Sequence, residues 1–225
     1  YFIANEQESA GMCLKFLSQN LFPEGKEISE LEELAKSAPS GSRNMLFTPW
    51  LNGERTPIEN HFIRGGFHNI SLQNTKPDFV RSVYEGVAYN SKWLLRSLKS
   101  VIKQHIKEIH VIGGGAQSDL WCQVHADILG RKIKQIEDPR HANSRGAAWI
   151  AALGLGLTTV EEIAQSIPVR QVFEPEKADA RIHAENFIEF INIYKSSHSI
   201  HRRLNSRLIK EPGLLKRGRE VHESH

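Results

Sequence analysis

The sequence has 225 residues, 40% of them apolar and 24% charged, with a formal net charge of +3. That composition suits a folded globular chain of one large domain or two small ones. The longest nearly unbroken apolar stretch, residues 146–157, is too short and too glycine-rich to span a bilayer. No secretory signal is visible. Two isolated cysteines, Cys13 and Cys122, give neither a disulfide framework nor a metal-binding spacing, so buried free thiols and a cytoplasmic location are expected. The charge is uneven. From His201 onward there are seven Lys or Arg and three Glu, which gives that end +4 and leaves the body near −1. The body is therefore not a basic nucleic-acid-binding domain. The chain begins at Tyr1 rather than Met, as expected of a fragment or a processed product.

In chain order, Phe2 and Ile3 read as the end of a strand. Residues 8–20 are predicted to form a helix with Met12, Leu14, Phe16, Leu17 and Leu21 as its apolar contacts and Ala10-Gly11 in its first turn. Pro23 and Gly25 break the chain. Residues 28–38 read as a short acidic helix with Ser29 as a candidate cap. Met45 to Thr48 reads as a strand ended by Pro49, and residues 52–66 as a long loop in which Glu54 and Arg55 pair with each other or with neighbours. Thr75 and Pro77 open a long helix with a stripe of Phe79, Val83, Val87, Trp93 and Leu94, running to about Ile102. Glu85 and Tyr89 lie four apart and are expected to pair on its surface.

The stretch from Glu108 to Ile136 organises the rest. Ile109, Val111 and Ile112 form a β-branched run that suits a buried strand. Gly113, Gly114 and Gly115 let the backbone turn sharply and lie bare. Ser118 is a good N-cap, Asp119 sits in the first helical turn, and Leu120, Val124 and Ile128 recur at helical spacing. Gly130 ends the helix, and Ile133 and Ile136 begin another strand. Spacing alone leaves two readings open: a tight turn, or a turn whose helix-start N–H groups meet a nucleotide or another anion. Neither the spaced dinucleotide fingerprint nor a Walker loop is present.

Further on, residues 137–141 form a polar loop. Asn143 or Ser144 caps a small-residue helix that is expected to approach another element closely. A short helix (160–166), an extended segment (168–176) and an amphipathic helix (178–194) follow. The basic end reads as a frayed helix and a solvated tail. Its alternative is an acidic or nucleic-acid partner, against which the lack of stacking aromatics weighs. The histidines show no ligand spacing and are read as surface or hydrogen-bonded residues.

Gly113 to Trp121 followed by Ala126-Asp127-Ile128-Leu129-Gly130 resembles the adenosine-binding segment of FGGY-family carbohydrate kinases. Three more stretches agree in order and spacing: residues 49–57 with Gly53-Glu54-Arg55-Thr56-Pro57, residues 85–90, and residues 143–148. The Gly-Glu-Arg-Thr-Pro form is more like the xylulose and gluconate kinase branch than the glycerol kinase branch.

The resemblance implies an α/β fold of the actin/hexokinase (ribonuclease H-like) kind, a mixed sheet flanked by helices. It makes residues 1–196 a C-terminal ATP-binding domain without its first strands, and residues 197–225 a basic tail, helical then disordered. Gly11, Lys15, Gly114, Gly115, Ala116, Ser118 and Asp119 are implied nucleotide contacts, with ATP and Mg²⁺ as cofactors. The catalytic aspartate and a Gly-Thr phosphate loop are implied to lie upstream of Tyr1, so none of Asp78, Asp119, Asp127, Asp138 and Asp179 is assigned a catalytic role. The expected partners are ATP or ADP and a sugar held by another domain. A sheet edge left unpaired keeps a homodimer open. The alternative is a non-catalytic binding or scaffold module with a basic tail. An actin-type ATPase is a third reading, against which the Gly-Glu-Arg-Thr-Pro loop argues.

Overall fold

The computed structural model describes residues 6–98, 101–102 and 106–210, without the side chains of residues 208–210. The strand end expected at Phe2 and Ile3, His105, and the stretch beyond Lys210 lie outside the described residues. The elements run α1 (Gly11–Leu21), α2 (Ile28–Lys36), β1 (Leu46–Thr48), β2 (Gly66–His68), α3 (Lys76–Leu98), β3 (Glu108–Val111), α4 (Asp119–Leu129), β4 (Lys132–Ile136), α5 (Ala142–Gly154), α6 (Val160–Ser166), β5 (Val169–Phe173) and α7 (Ala180–Lys210). No helix among the described residues is long and apolar enough to cross a membrane.

The main sheet is mixed, in the order β3-β4-β5. β3 runs parallel to β4 with Ile109 opposite Ile133, and β5 returns antiparallel with Phe173 opposite Ile133. Among the described residues β3 has no partner on its other side. A second, two-stranded ribbon pairs β1 with β2. The helix α3 lies between these parts and packs against α1, α2, α4, α7 and β1. Its residues from Val80 to Asn90 are buried almost without interruption. Such a helix is apolar or satisfied on every face, so the stripe read from the sequence marks only part of what it buries, which includes Ser82, Glu85 and Asn90.

The cluster Glu85-Gly86-Val87-Ala88-Tyr89-Asn90 explains how this packing is possible. A Cβ on Gly86 would stand 2.2 Å from the Phe47 carbonyl oxygen, so only glycine lets α3 approach β1 this closely. Glu85 and Tyr89, expected on the surface, are both buried. Arg81, one turn earlier, is the partner of Glu85 at helical spacing; Gly41, Ser42 and His183 are distant in sequence and could not be read from it. Glu85 accepts from Gly41 N (2.8 Å), Ser42 Oγ (2.8 Å) and Arg81 Nε (3.0 Å). Burial pushes its carboxyl up, and those donors and the Arg81 charge oppose the shift. The Tyr89 hydroxyl meets His183 Nδ1 at 2.9 Å, and His183 Nε2 meets Ser40 Oγ at 3.1 Å. Asn90 accepts from Trp50 Nε1 at 3.0 Å. Around Trp50 the rings of Phe190, Trp93 and Tyr194 complete an aromatic cluster, with Trp50–Phe190 and Trp93–Tyr194 centroids each 5.2 Å apart.

Several other expectations change. α1 starts at Gly11 rather than residue 8, so the glycine is its first residue. Its buried side chains are Cys13, Leu14, Leu17 and Ser18, while Met12, Phe16 and Leu21 are exposed. α2 is capped by Glu27, in a reciprocal box with Glu30, and not by Ser29. α5 starts at Ala142 behind His141 with no side-chain cap, and none of its residues is buried, so the expected close approach to another element does not occur among the described residues. α7 does not end near Tyr194 but continues unbroken to Lys210. Its later turns are tied to the 60s loop, because Asn205 Nδ2 donates to the Phe62 carbonyl (3.0 Å) and Arg64 N donates to His201 Nδ1 (3.3 Å). Cys13 and Cys122 are buried and free, and burial pushes both thiols up to about 12.

Two stability predictions follow from this packing. Gly86→Ala should cost about 1–3 kcal/mol, as overpacking does, read as a lower urea midpoint. An unchanged midpoint would contradict the close approach of α3 and β1. His183 is held neutral, since burial lowers its pKa from 6.5 to about 4. The unfolded chain therefore takes up the proton first. Stability is full above pH 6.5 and is lost as pH falls towards 4. Between pH 6.5 and 5 the wild type should lose about 2 kcal/mol more than His183→Gln. His68 and His125, whose pKa values burial also lowers, act alike in both proteins. Equal losses in urea titrations at the two pH values would refute the assignment.

Candidate functional site

The site begins where β3 ends. β3 and β4 are parallel neighbours, so the turns that follow them emerge side by side, at the edge where open α/β sheets hold ligands. Gly113 has φ 87°, a left-handed value that favours glycine, and its N–H donates to the Pro139 carbonyl of the turn after β4 at 2.8 Å. A single 3₁₀ turn, Gly114–Gln117, follows. Ser118 Oγ then accepts from Trp121 N at 3.0 Å and starts α4 as expected, and Gly130 ends it at φ 63°. Trp121 is the fixed floor. Its indole Nε1 donates to the Tyr84 carbonyl of α3 at 3.2 Å, and its ring packs edge-on to Tyr84 at 5.2 Å.

Facing this turn stand the first residues of α1 and one side of α2. Between them is a cleft of about 530 Å³, with Gly11 and Leu14 on one wall, Ile28 and Glu32 beside them, and Gly114 and Gly115 opposite. Ser118, Trp121 and Arg140 complete it. A smaller cleft of about 230 Å³ meets it at Gly11, Gly115 and Trp121 and reaches Ala116, Cys122 and His125. These volumes suit a nucleoside-sized ligand.

The three glycines of the cleft differ. A Cβ on Gly115 would press on the Trp121 ring at 3.0 Å, so that glycine is needed by the fold itself. Among the described residues, a Cβ on Gly11 or Gly114 would meet nothing within 4 Å, so none of them requires glycine there, and the missing side chains leave the cleft open.

Of the residues expected at the site, Gly11, Gly114, Gly115 and Ser118 converge on the larger cleft and Ala116 lines the smaller one. Lys15 is exposed and lines neither. Asp119 also lines neither. It accepts from Gln135 Nε2 at 2.9 Å and pairs with Arg170 at 3.3 Å, which turns it towards β4 and β5. Its place in the first turn of α4 was legible from sequence, but the side it faces was not. Leu14, Ile28, Glu32 and Arg140 were missed. Arg140 had a signal, because it follows β4 as the glycine turn follows β3. Glu32 had none, because its position depends on packing across more than eighty residues. Its Oε1 accepts from Leu120 N at 3.2 Å.

The Gly53-Glu54-Arg55-Thr56-Pro57 loop holds the approach to α1. Glu54 is buried and accepts from Glu8 N (2.9 Å), Arg55 N (2.9 Å) and Asn90 Nδ2 (2.8 Å). Arg55 pairs outward with Glu6 and Glu8, each at 2.7 Å. The loop thus ties the segment just before Gly11 to α3, which sets where α1 starts and how wide the cleft is. Asp127 accepts from Gln123 Nε2 and Glu176 N, both at 2.8 Å, and serves structure. Asp78 takes the Thr75 N–H and hydroxyl and pairs with Arg43. No group of three or more His, Cys, Asp or Glu that could hold a metal ion occurs among the described residues.

Residues 1–155 match the C-terminal domain of the FGGY family of carbohydrate kinases. The chain is 37% identical over 204 residues to a xylulose kinase of Staphylococcus epidermidis, covering 89% of this chain and 40% of that protein. It is 29% identical over 203 residues to the xylulose kinase of Bacillus subtilis, with 88% and 40% coverage. Its fold matches the crystal structures of a gluconate kinase and a ligand-bound xylulose kinase from Lactobacillus acidophilus, each with TM-score 0.79 and 88% of this chain covered, at 26% and 27% identity. It spans about 40% of the length of these relatives. Together with the bare glycine cleft beside the mixed sheet, these matches show that the chain belongs to the FGGY family of carbohydrate kinases and carries the family's C-terminal domain.

Proposed function

We propose that this chain is the nucleotide-binding part of a sugar kinase that moves the ATP γ-phosphoryl group to a hydroxyl of a xylulose-, pentulose- or gluconate-type substrate. The observation that carries this reading is the cleft between the glycine turn and α1–α2, open at Gly11 and Gly114, where no described residue stands within 4 Å of an added Cβ. An apolar slot between Leu14, Ile28 and Trp121 suits a flat base, and Arg140 supplies positive charge for phosphates. Names of the relatives, xylulose kinase and gluconate kinase, support the substrate class.

In this reading the chain's own residues bind and orient. The bare turn admits the nucleotide's backbone-hugging edge, Trp121 and Leu14 exclude water from the base, and Arg140 draws the phosphates towards the loops after β3 and β4. Magnesium, when bound, neutralises phosphate charge, and because it is held largely by phosphate oxygens and water it needs no cage built from this chain. The proton of the sugar hydroxyl needs a carboxylate. Asp78, Asp119 and Asp127 are each engaged in bonds within the fold, and no residue of this chain is assigned as that base.

Calorimetric titration of the chain with Mg-ATP tests the proposal, with Gly114→Val as the control. Gly115→Val is a poor choice, since its side chain would strike Trp121 and confuse folding with binding. A valine at Gly114 projects into open cleft. It should change stability by less than about 0.5 kcal/mol and remove saturable binding. No binding by the folded wild-type chain would overturn the reading and leave the non-catalytic module.

A further inference from the structure

The start of α4 looks like an anion site, yet it is already occupied. Ser118 Oγ takes Trp121 N and the Glu32 carboxylate takes Leu120 N. A nucleotide phosphate placed there would face a carboxylate. The opposite end of the glycine turn differs. Gly113 N is bonded to Pro139, which brings the next residue, Arg140, to the head of the turn, where it lines the same cleft. The cleft is therefore polar in a directional sense, with a cation where the turn begins and an anion where it ends.

Glu32 is also held in place before any ligand arrives. It lies on α2, whose start is fixed by the Glu27–Glu30 box, and its side chain is only 15% exposed. Its two contacts, Leu120 N at 3.2 Å and Lys36 Nζ at 3.4 Å, both use Oε1. Oε2 has no contact of this kind among the described residues. A fixed carboxylate at the end of an apolar slot accepts hydrogen bonds and donates none.

We infer that Glu32 is a specificity-determining residue of this site: it accepts the exocyclic amine of an adenine base and, with Arg140, orients the nucleotide so that its phosphates lie at the Arg140 end. This rests on the nucleotide reading of the cleft. It excludes bases that offer no donor at that edge, because the carboxylate would then be left against an unpaired or repelling group.

The test compares binding of ADP and of purine riboside 5′-diphosphate, which lacks only the amine, to the whole chain by calorimetry. The wild type should prefer ADP by about ten- to a hundredfold, the size of one hydrogen bond to a charged group. In Glu32→Ala the preference should fall to near one. Glu32→Gln keeps an acceptor for Leu120 N and so guards against misfolding, and it should reduce the preference to a few-fold because the bond is no longer charge-assisted. Arg140→Ala should weaken both ligands alike and leave their ratio unchanged. Equal wild-type binding of the two ligands, or a preference that survives in both Glu32 variants, would overturn the assignment of Glu32 while sparing the nucleotide site. A ratio that moves in Arg140→Ala instead would reverse the orientation and also overturn it. Failure of the folded wild type to bind ADP would sink the nucleotide reading and this inference with it.

Discussion

The contact that the rest of the structure depends on is the approach of α3 to β1 at Gly86, where a single added carbon would stand 2.2 Å from the Phe47 carbonyl oxygen. That closeness lets α3 run buried through the middle of the molecule. Once there it presents the Tyr84 carbonyl to the Trp121 indole, Asn90 to Glu54 and Trp50, and Tyr89 to His183. The first of these fixes the floor of the cleft. The second fixes the segment that leads into α1, and hence one wall. The third fastens α7 to the back. The site's shape is thus set by a helix that does not itself line the larger cleft.

Electrostatics gives the cleft a direction. Helix starts attract anions in general, but here that role is taken within the fold by Glu32 and Ser118. The remaining positive feature is Arg140, at the head of the turn. Charge placement of this kind does for a ligand what register does for a strand, favouring one orientation over its reverse.

Much of this was legible in the sequence where the determinants are local. Strand, glycine turn, Ser118 cap, α4, Gly130 and β4 follow from short-range chemistry and each is present, but β3 is half-exposed rather than buried, and Ile112 lies beyond its end and is exposed. Thr75 and Pro77 opening α3 also needed only neighbouring residues. The errors share a cause. Glu85 and Tyr89 were placed on a surface because their partners, Gly41 and His183, lie about 45 and 95 residues away. For Asp119 the motif marks a place in the first turn of α4, whereas its pairing with Gln135 and Arg170 depends on β4 and β5. The amphipathic period fades near Tyr194, while the contacts that hold the later turns of α7 come from the 60s loop. Glu32 carried no local mark at all. Motif spacing reported the backbone of the site faithfully and its side-chain chemistry only in part.

Amide hydrogen exchange with and without ADP tests the central claim most directly, because it reports where a ligand protects the backbone rather than whether one binds. The account predicts slowed exchange in residues 113–118, in the first turn of α1 and along residues 28–32 of α2, with the α7 face between Glu185 and Ile193 unchanged. Protection confined to that α7 face, or saturable binding that leaves the glycine turn unprotected, would contradict it.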